Sequence, residues 1–175
     1  AVACVGIVIG LVLMTALATR FAPMIMELSS GNIYVALVLV MFSSIVLGMG
    51  LPTMICYVLL ANLAAPTLIN IGVLPLSAHM FILYFGMMSM VTPPSALAAY
   101  AAATIAGADI MKTGFTAWMF SLSGYLLPFM FALNPALLMV GPASTIILAT
   151  TSGVVGVVAL GAAVAGHLRF SVGPI

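Results

Sequence analysis

The sequence predicts an all-α, polytopic membrane protein in which two of the helical elements are broken, and three observations carry that prediction. Of its 175 residues 66% are hydrophobic and 3% charged, with a mean hydropathy of +1.44. A soluble domain is roughly half apolar and a quarter charged. The charges, Arg20, Glu27, Asp109, Lys112 and Arg169, all fall at breaks between apolar runs; a charge at mid-membrane costs about 2.5 kcal/mol or more. Finally, two apolar stretches are interrupted by glycine and proline, leaving halves too short to cross roughly 30 Å of hydrocarbon, which takes about 20 helical residues.

Residues 1–28 form the first predicted span, ending beyond Arg20 and Pro23 near Glu27, with a turn at Ser29-Ser30-Gly31-Asn32. Gly6 and Gly10 make a G-x-x-x-G in it, a spacing that suits close helix packing but is common by chance in glycine-rich membrane chains. Next comes an element over 33–71. Ile33 to Leu47 provides only about 22 Å of helix before Gly48-Met49-Gly50-Leu51-Pro52 interrupts it. Two glycines loosen the backbone and Pro52 removes a donor, so helix stops and restarts at Pro52 or Thr53, running to about Asn70. Two arrangements fit: a kinked pair of spans, or a re-entrant hairpin with its tip near mid-membrane. Asn62, Pro66 and Thr67 in the second arm favour protein surroundings over lipid.

The third element, 77–106, has one apolar arm from Met80 to Val91 and another from Ala96 to Ala106, separated by Thr92-Pro93-Pro94-Ser95. Consecutive prolines cannot both continue a helix, since each lacks the N–H and drives its predecessor to extended backbone. This is the strongest local signal for a discontinuous membrane helix. After a polar turn, Gly107 to Gly114, a span over 115–139 carries Trp118 as an interface anchor and Pro128 as a kink. An additional helix and tail occupy 141–175, ending in His167 and Arg169.

Lipid supplies no water to unpaired backbone groups, so a break at membrane depth survives only where protein or an aqueous cavity surrounds it. Freed carbonyls and helix C-termini at such breaks suit cations. The first break offers carbonyls of Gly48, Met49, Gly50, Leu51 and Pro52 with the Thr53 hydroxyl; the second offers those from around Met90 to Pro93 with the Thr92 and Ser95 hydroxyls. Hard oxygens without a carboxylate fit a monovalent ion, Na⁺, better than Zn²⁺ or Ca²⁺. Ser43, Ser44, Pro94 and Ser95 are candidates for the substrate side, although back-bonding to its own helix is the commoner fate of a membrane serine. The competing reading is that both breaks are packing kinks in a scaffold.

Other classes are disfavoured. No basic cluster marks a nucleic-acid surface, and no nucleophile motif or clustered acid–base set marks an enzyme. Cys4 and Cys56 sit in apolar runs without metal-ligand spacing and suit buried small hydrophobes. His79 suits an interface residue better than a proton relay. Proton coupling usually uses an intramembrane carboxylate or histidine, and the breaks hold neither. The start at Ala1, inside an apolar run without a basic n-region, is unlike a signal peptide and suggests a piece of a longer protein.

Leu47-Gly48-Met49-Gly50-Leu51-Pro52-Thr53, then Val91-Thr92-Pro93-Pro94-Ser95 with the alanine-rich run to Ala103, and then Gly107-Ala108-Asp109-Ile110-Met111-Lys112-Thr113-Gly114, closely resemble the large permease of TRAP transporters. The fused type, with small and large membrane subunits in one polypeptide, is the nearest match. The resemblance covers roughly residues 1–138. It implies one inverted repeat of an elevator-type, Na⁺-driven importer of organic acids, multi-pass in the bacterial inner membrane, with substrate delivered by a periplasmic binding protein. Residues 48–53 would then be the tip of a re-entrant hairpin and 92–95 the break of the following discontinuous helix, together framing one Na⁺ site. Fused permeases of this type often work with binding proteins of the TAXI class. The first repeat and the small-subunit helices would lie in an N-terminal part outside this sequence, so the chain alone is expected to transport nothing. In that topology the Asp109/Lys112 turn and Arg169 share one face, which the positive-inside rule makes cytoplasmic, and the hairpin opens from the periplasm.

Overall fold

Helix dominates the computed structural model, which describes the chain apart from residues 1–5, 8, 9, 12, 13, 15, 16, 50, 166, 169 and 172–175. The chain forms two compact units, Ala1–Met87 and Met88–Ile175.

In the first unit, α1 (Leu17–Ser29) contains Pro23 and ends in a turn where Ser30 and Gly31 take φ of 49° and 76°. Much of the span predicted over 1–28 lies outside the described residues. Asn32 caps α2 (Ile33–Gly48), its side chain accepting from the Tyr34 amide at 2.9 Å, a favoured N-cap contact. α2 stops at the glycine cluster, and α3 (Thr53–Leu63) begins after Pro52. The predicted single arm to Asn70 is instead two helices, because α4 (Ala65–Asn70) starts anew with Pro66 in its first turn. Pro66 has no N–H to return to the Asn62 carbonyl, so the α-helical ladder is interrupted there. Gly72, at φ 101°, closes α4, and α5 (Pro75–Met88) follows.

α1 packs on α2, α3 and α4, and α2 packs on α3. Ile25, Leu37, Val40, Leu60, Leu63, Leu68, Phe81, Ile82 and Phe85 are buried together in this unit, with Phe81 and Phe85 edge to face at 4.8 Å. α5 lies close on α3: a Cβ at Gly86 would come within 3.1 Å of the buried Cys56 Sγ. Thr67 is buried, as a protein-packed second arm requires, whereas Asn62 is exposed. A Cβ at Gly6 or Gly10 would meet nothing within 4 Å, so the G-x-x-x-G makes no close packing among the described residues.

The second unit opens with a non-helical stretch, 89–96, before α6 (Leu97–Ala106). Helix therefore ends at Met88, three residues ahead of the predicted Val91, because the chain folds into turns well before the prolines. Gly107, left-handed at φ 65°, closes α6, the usual role of a glycine just past a helix end. α7 (Ile110–Leu133) starts five residues ahead of the predicted Phe115 because the Asp109 carboxylate accepts from the Lys112 amide at 2.8 Å. A 3₁₀ turn (Pro135–Leu138) and α8 (Ala143–Ala165) follow, and a two-residue antiparallel ladder pairs His167 with Ser171 and Leu168 with Phe170.

α7 packs on both α6 and α8, and buried residues along these elements are small: Ala99 and Ala103 on α6, Gly114, Pro128 and Ala132 on α7, Ala136 in the 3₁₀ turn and Ala149 on α8. Small side chains let helices approach closely where lipid gives no hydrophobic drive between them. α7 and α8 contain apolar stretches of 24 and 22 residues, long enough to cross a bilayer, and only 11% of each hydrophobic window is covered by protein. Apolar surface on that scale calls for lipid around it.

Candidate ion-binding breaks

At the first break the ends of two short helices come together through Met49–Pro52. The α2 terminus tightens, with the Met49 amide on the Val46 carbonyl and the Leu51 amide on the Gly48 carbonyl, both at 3.3 Å. The Pro52 carbonyl is taken by the amides of Ile55 and Cys56, each at 3.0 Å. Among the described residues the carbonyls of Leu47, Met49 and Leu51 accept no hydrogen bond, and neither the Thr53 hydroxyl nor the Thr53 and Met54 amides donate one. The tip thus presents unpaired carbonyls from the α2 end, where the helix dipole is negative, beside the positive N-terminus of α3. Gly50 lies outside the described residues. Of the two serines one turn earlier, Ser43 donates to the Leu39 carbonyl at 2.8 Å, whereas Ser44 is fully buried and its hydroxyl has no partner.

The second break satisfies most of its own backbone. Met88 O accepts from the Val91 amide at 3.1 Å, Met90 O from Ala98 at 3.1 Å and Thr92 O from Ala96 at 3.0 Å. Ser95 donates to Ser89 O at 3.4 Å. The Pro93–Pro94 bond is cis. Among the described residues the carbonyls of Val91 and Pro93 accept no hydrogen bond. So within the predicted Met90 to Pro93 stretch the carbonyls of Val91 and Pro93 stay free, and that of Met90 is engaged. The Thr92 hydroxyl donates to Met88 O and meets the Tyr125 hydroxyl.

α7 braces this break at three places. Tyr100 lies across Gly114, where a Cβ would sit 2.6 Å from its Cε1, and donates its hydroxyl to Pro94 O at 2.8 Å. Tyr125 reaches Thr92, and Gly124 leaves room for the Met88 methyl, 2.6 Å from where a Cβ would stand. Thr92, Pro93, Pro94, Met111, Phe115 and Trp118 line a cavity of about 360 Å³ beside it. Neither tyrosine was among the residues singled out from the sequence. The signal was present, since a tyrosine inside an apolar span carries a hydroxyl that needs a partner.

In the first unit His79 is held by Tyr57, whose hydroxyl lies 3.1 Å from Nδ1 with the rings edge to face at 6.0 Å.

No curated protein and no solved structure matches the chain significantly. The family model described as "Tripartite ATP-independent periplasmic transporter, DctM component" matches residues 1–166, a stretch that contains every helix among the described residues and both breaks. Transporters of this family work with a periplasmic substrate-binding protein and are carriers, not enzymes. By that match over nearly its whole length, the chain belongs to the DctM family, the membrane permease component of tripartite ATP-independent periplasmic transporters.

Proposed function

We propose that the chain is a segment of a Na⁺-coupled, elevator-type permease that imports organic acids delivered by a periplasmic binding protein, of the TAXI class if the permease is of the fused type. The observation that carries this reading is the pair of breaks, each flanked by apolar helices of 10–17 residues that are too short to cross alone, and each keeping hard oxygens free. In the first, these are the carbonyls of Met49 and Leu51 with the Thr53 hydroxyl; in the second, the carbonyls of Val91 and Pro93, with Met90 a shared acceptor and the Thr92 hydroxyl oxygen, already engaged with Met88 O and Tyr125, beside them. Oxygens of this kind at partial negative charge suit a desolvated monovalent cation. We take 33–71 as a re-entrant hairpin, 75–106 as the discontinuous helix and the chain as multi-pass in the inner membrane, with a first repeat completing the substrate pocket. Ser44, Pro94 and Ser95 remain our candidates on the substrate side.

Uptake by the assembled transporter tests this. Import should need Na⁺, and should fall sharply with Thr92→Ala plus Ser95→Ala and with Gly50→Leu, at unchanged membrane abundance. Equal uptake in choline buffer under a proton gradient would instead mean proton coupling and would overturn the Na⁺ assignment. A scaffold predicts no uptake to lose.

A further inference from the structure

We infer that Tyr125 is a positioning residue that orders the proton on the Thr92 hydroxyl and so turns a lone pair of that oxygen toward a cation. This rests on the proposed role of the second break in binding Na⁺. A threonine hydroxyl has one proton and two lone pairs. Here the proton is committed, because the Thr92 hydroxyl donates to Met88 O. With the Thr92 proton on Met88 O, the contact between the Thr92 and Tyr125 oxygens is assigned the polarity in which Tyr125 donates and Thr92 accepts. One lone pair is used, and the other is left.

A hydroxyl ligates a cation only with its proton turned elsewhere, so the relay Tyr125 to Thr92 to Met88 prepares the oxygen before any ion arrives. The relay also fixes the Thr92 side chain at two points, which lowers the entropy lost when an ion is bound. Tyr125 sits on the 24-residue α7, so its hydroxyl is delivered from a rigid element and not from the break itself. Tyr100 ties Pro94 O to α6 separately, so loss of Tyr125 leaves the break anchored.

The sequence contains a single tryptophan, and Trp118 lines the same cavity as Thr92, Pro93 and Pro94. Its fluorescence in the purified chain in lipid nanodiscs, titrated with NaCl at constant ionic strength in choline chloride, reports ion binding without substrate. Tyr125→Phe should raise the half-saturating Na⁺ concentration about three- to tenfold, the usual worth of one hydrogen bond, with the fluorescence amplitude retained. Thr92→Ala should raise it at least as much, Thr92→Ser should restore it, and Tyr125→Phe should add nothing in the Thr92→Ala background. A wild-type chain without a saturable Na⁺ response would sink the ion reading and the inference together. A normal response that Tyr125→Phe leaves unchanged, that it weakens additively with Thr92→Ala, or that shows only a lower melting temperature, would overturn the role of Tyr125 and leave the ion reading standing.

Discussion

Gly114→Ala should damage the second break from a distance. The added methyl would stand 2.6 Å from Tyr100 Cε1 and 3.5 Å from Cδ1 and Cζ, while carbon atoms rest at about 3.5–4.0 Å. The ring must therefore move by about 1 Å. Its hydroxyl is 2.8 Å from Pro94 O, and a shift of that size carries the pair beyond hydrogen-bonding range, at about 3.5 Å. Overpacking costs about 1–3 kcal/mol and the lost bond about 1 kcal/mol, against about 1 kcal/mol recovered from alanine's better helix propensity. The net loss is about 1–3 kcal/mol, measurable as a shifted midpoint of denaturant unfolding in micelles. In a Tyr100→Ala background the ring is gone, and Gly114→Ala should become neutral or stabilising by about 1 kcal/mol. An equal cost in both backgrounds, or no cost with Tyr100 present, would refute the argument that Gly114 exists to seat that ring.

Two further outcomes follow from the helix ends. Asp109→Ala removes the cap on the Lys112 amide and should cost about 1 kcal/mol, while Asp109→Asn, which keeps an acceptor, should cost less; amide exchange in the first turn of α7 reads the difference. With Cys4 and Cys56 replaced, a membrane-impermeant thiol reagent on intact cells should label cysteine introduced at Ser30 and spare it at Lys112. Labelling at Lys112 would invert the proposed topology.

The breaks were legible in the sequence because glycine and proline act locally: Gly48 to Pro52 and the Pro93-Pro94 pair stop helices whatever surrounds them. The Asn32 and Asp109 caps are local in the same way. What composition and spacing do not carry is which freed oxygens stay free. Met90 O is consumed by the Ala98 amide, eight residues on, only because the chain turns back at the prolines. Thr92 meets Tyr125 from 33 residues away, and Tyr100 reaches Pro94 only because α7 presents Gly114. Such contacts depend on helix register and crossing, which apolar periodicity barely encodes when nearly every position is apolar. The division between α3 and α4 was open to inference from Pro66, but a proline in a helix's first turn and one that kinks its interior look alike until the preceding residues are placed.

Ser44 separates a structural hydroxyl from one kept for a ligand. Hydroxyls in this chain as a rule bond back to their own helix: Ser43 to Leu39 O, Thr104 to Tyr100 O, Thr116 to Lys112 O and Thr151 to Ile147 O, each at 2.7–2.8 Å. Ser44 is fully buried one turn before the α2 terminus and does not. Leaving a buried hydroxyl unpaired costs about 1–3 kcal/mol, so if packing were its only role, Ser44→Ala would stabilise the chain under every condition. If the hydroxyl serves a bound cation or its substrate, the sign depends on the medium. In choline chloride Ser44→Ala should still be neutral or stabilising, because the orphaned group is removed. In NaCl of the same ionic strength the parent gains stability by binding and the variant gains less, so the difference between them should shrink or reverse. Thermal unfolding of both proteins in the two salts measures it, and a Ser44→Ala effect identical in choline and sodium would take Ser44 out of the ion and substrate chemistry.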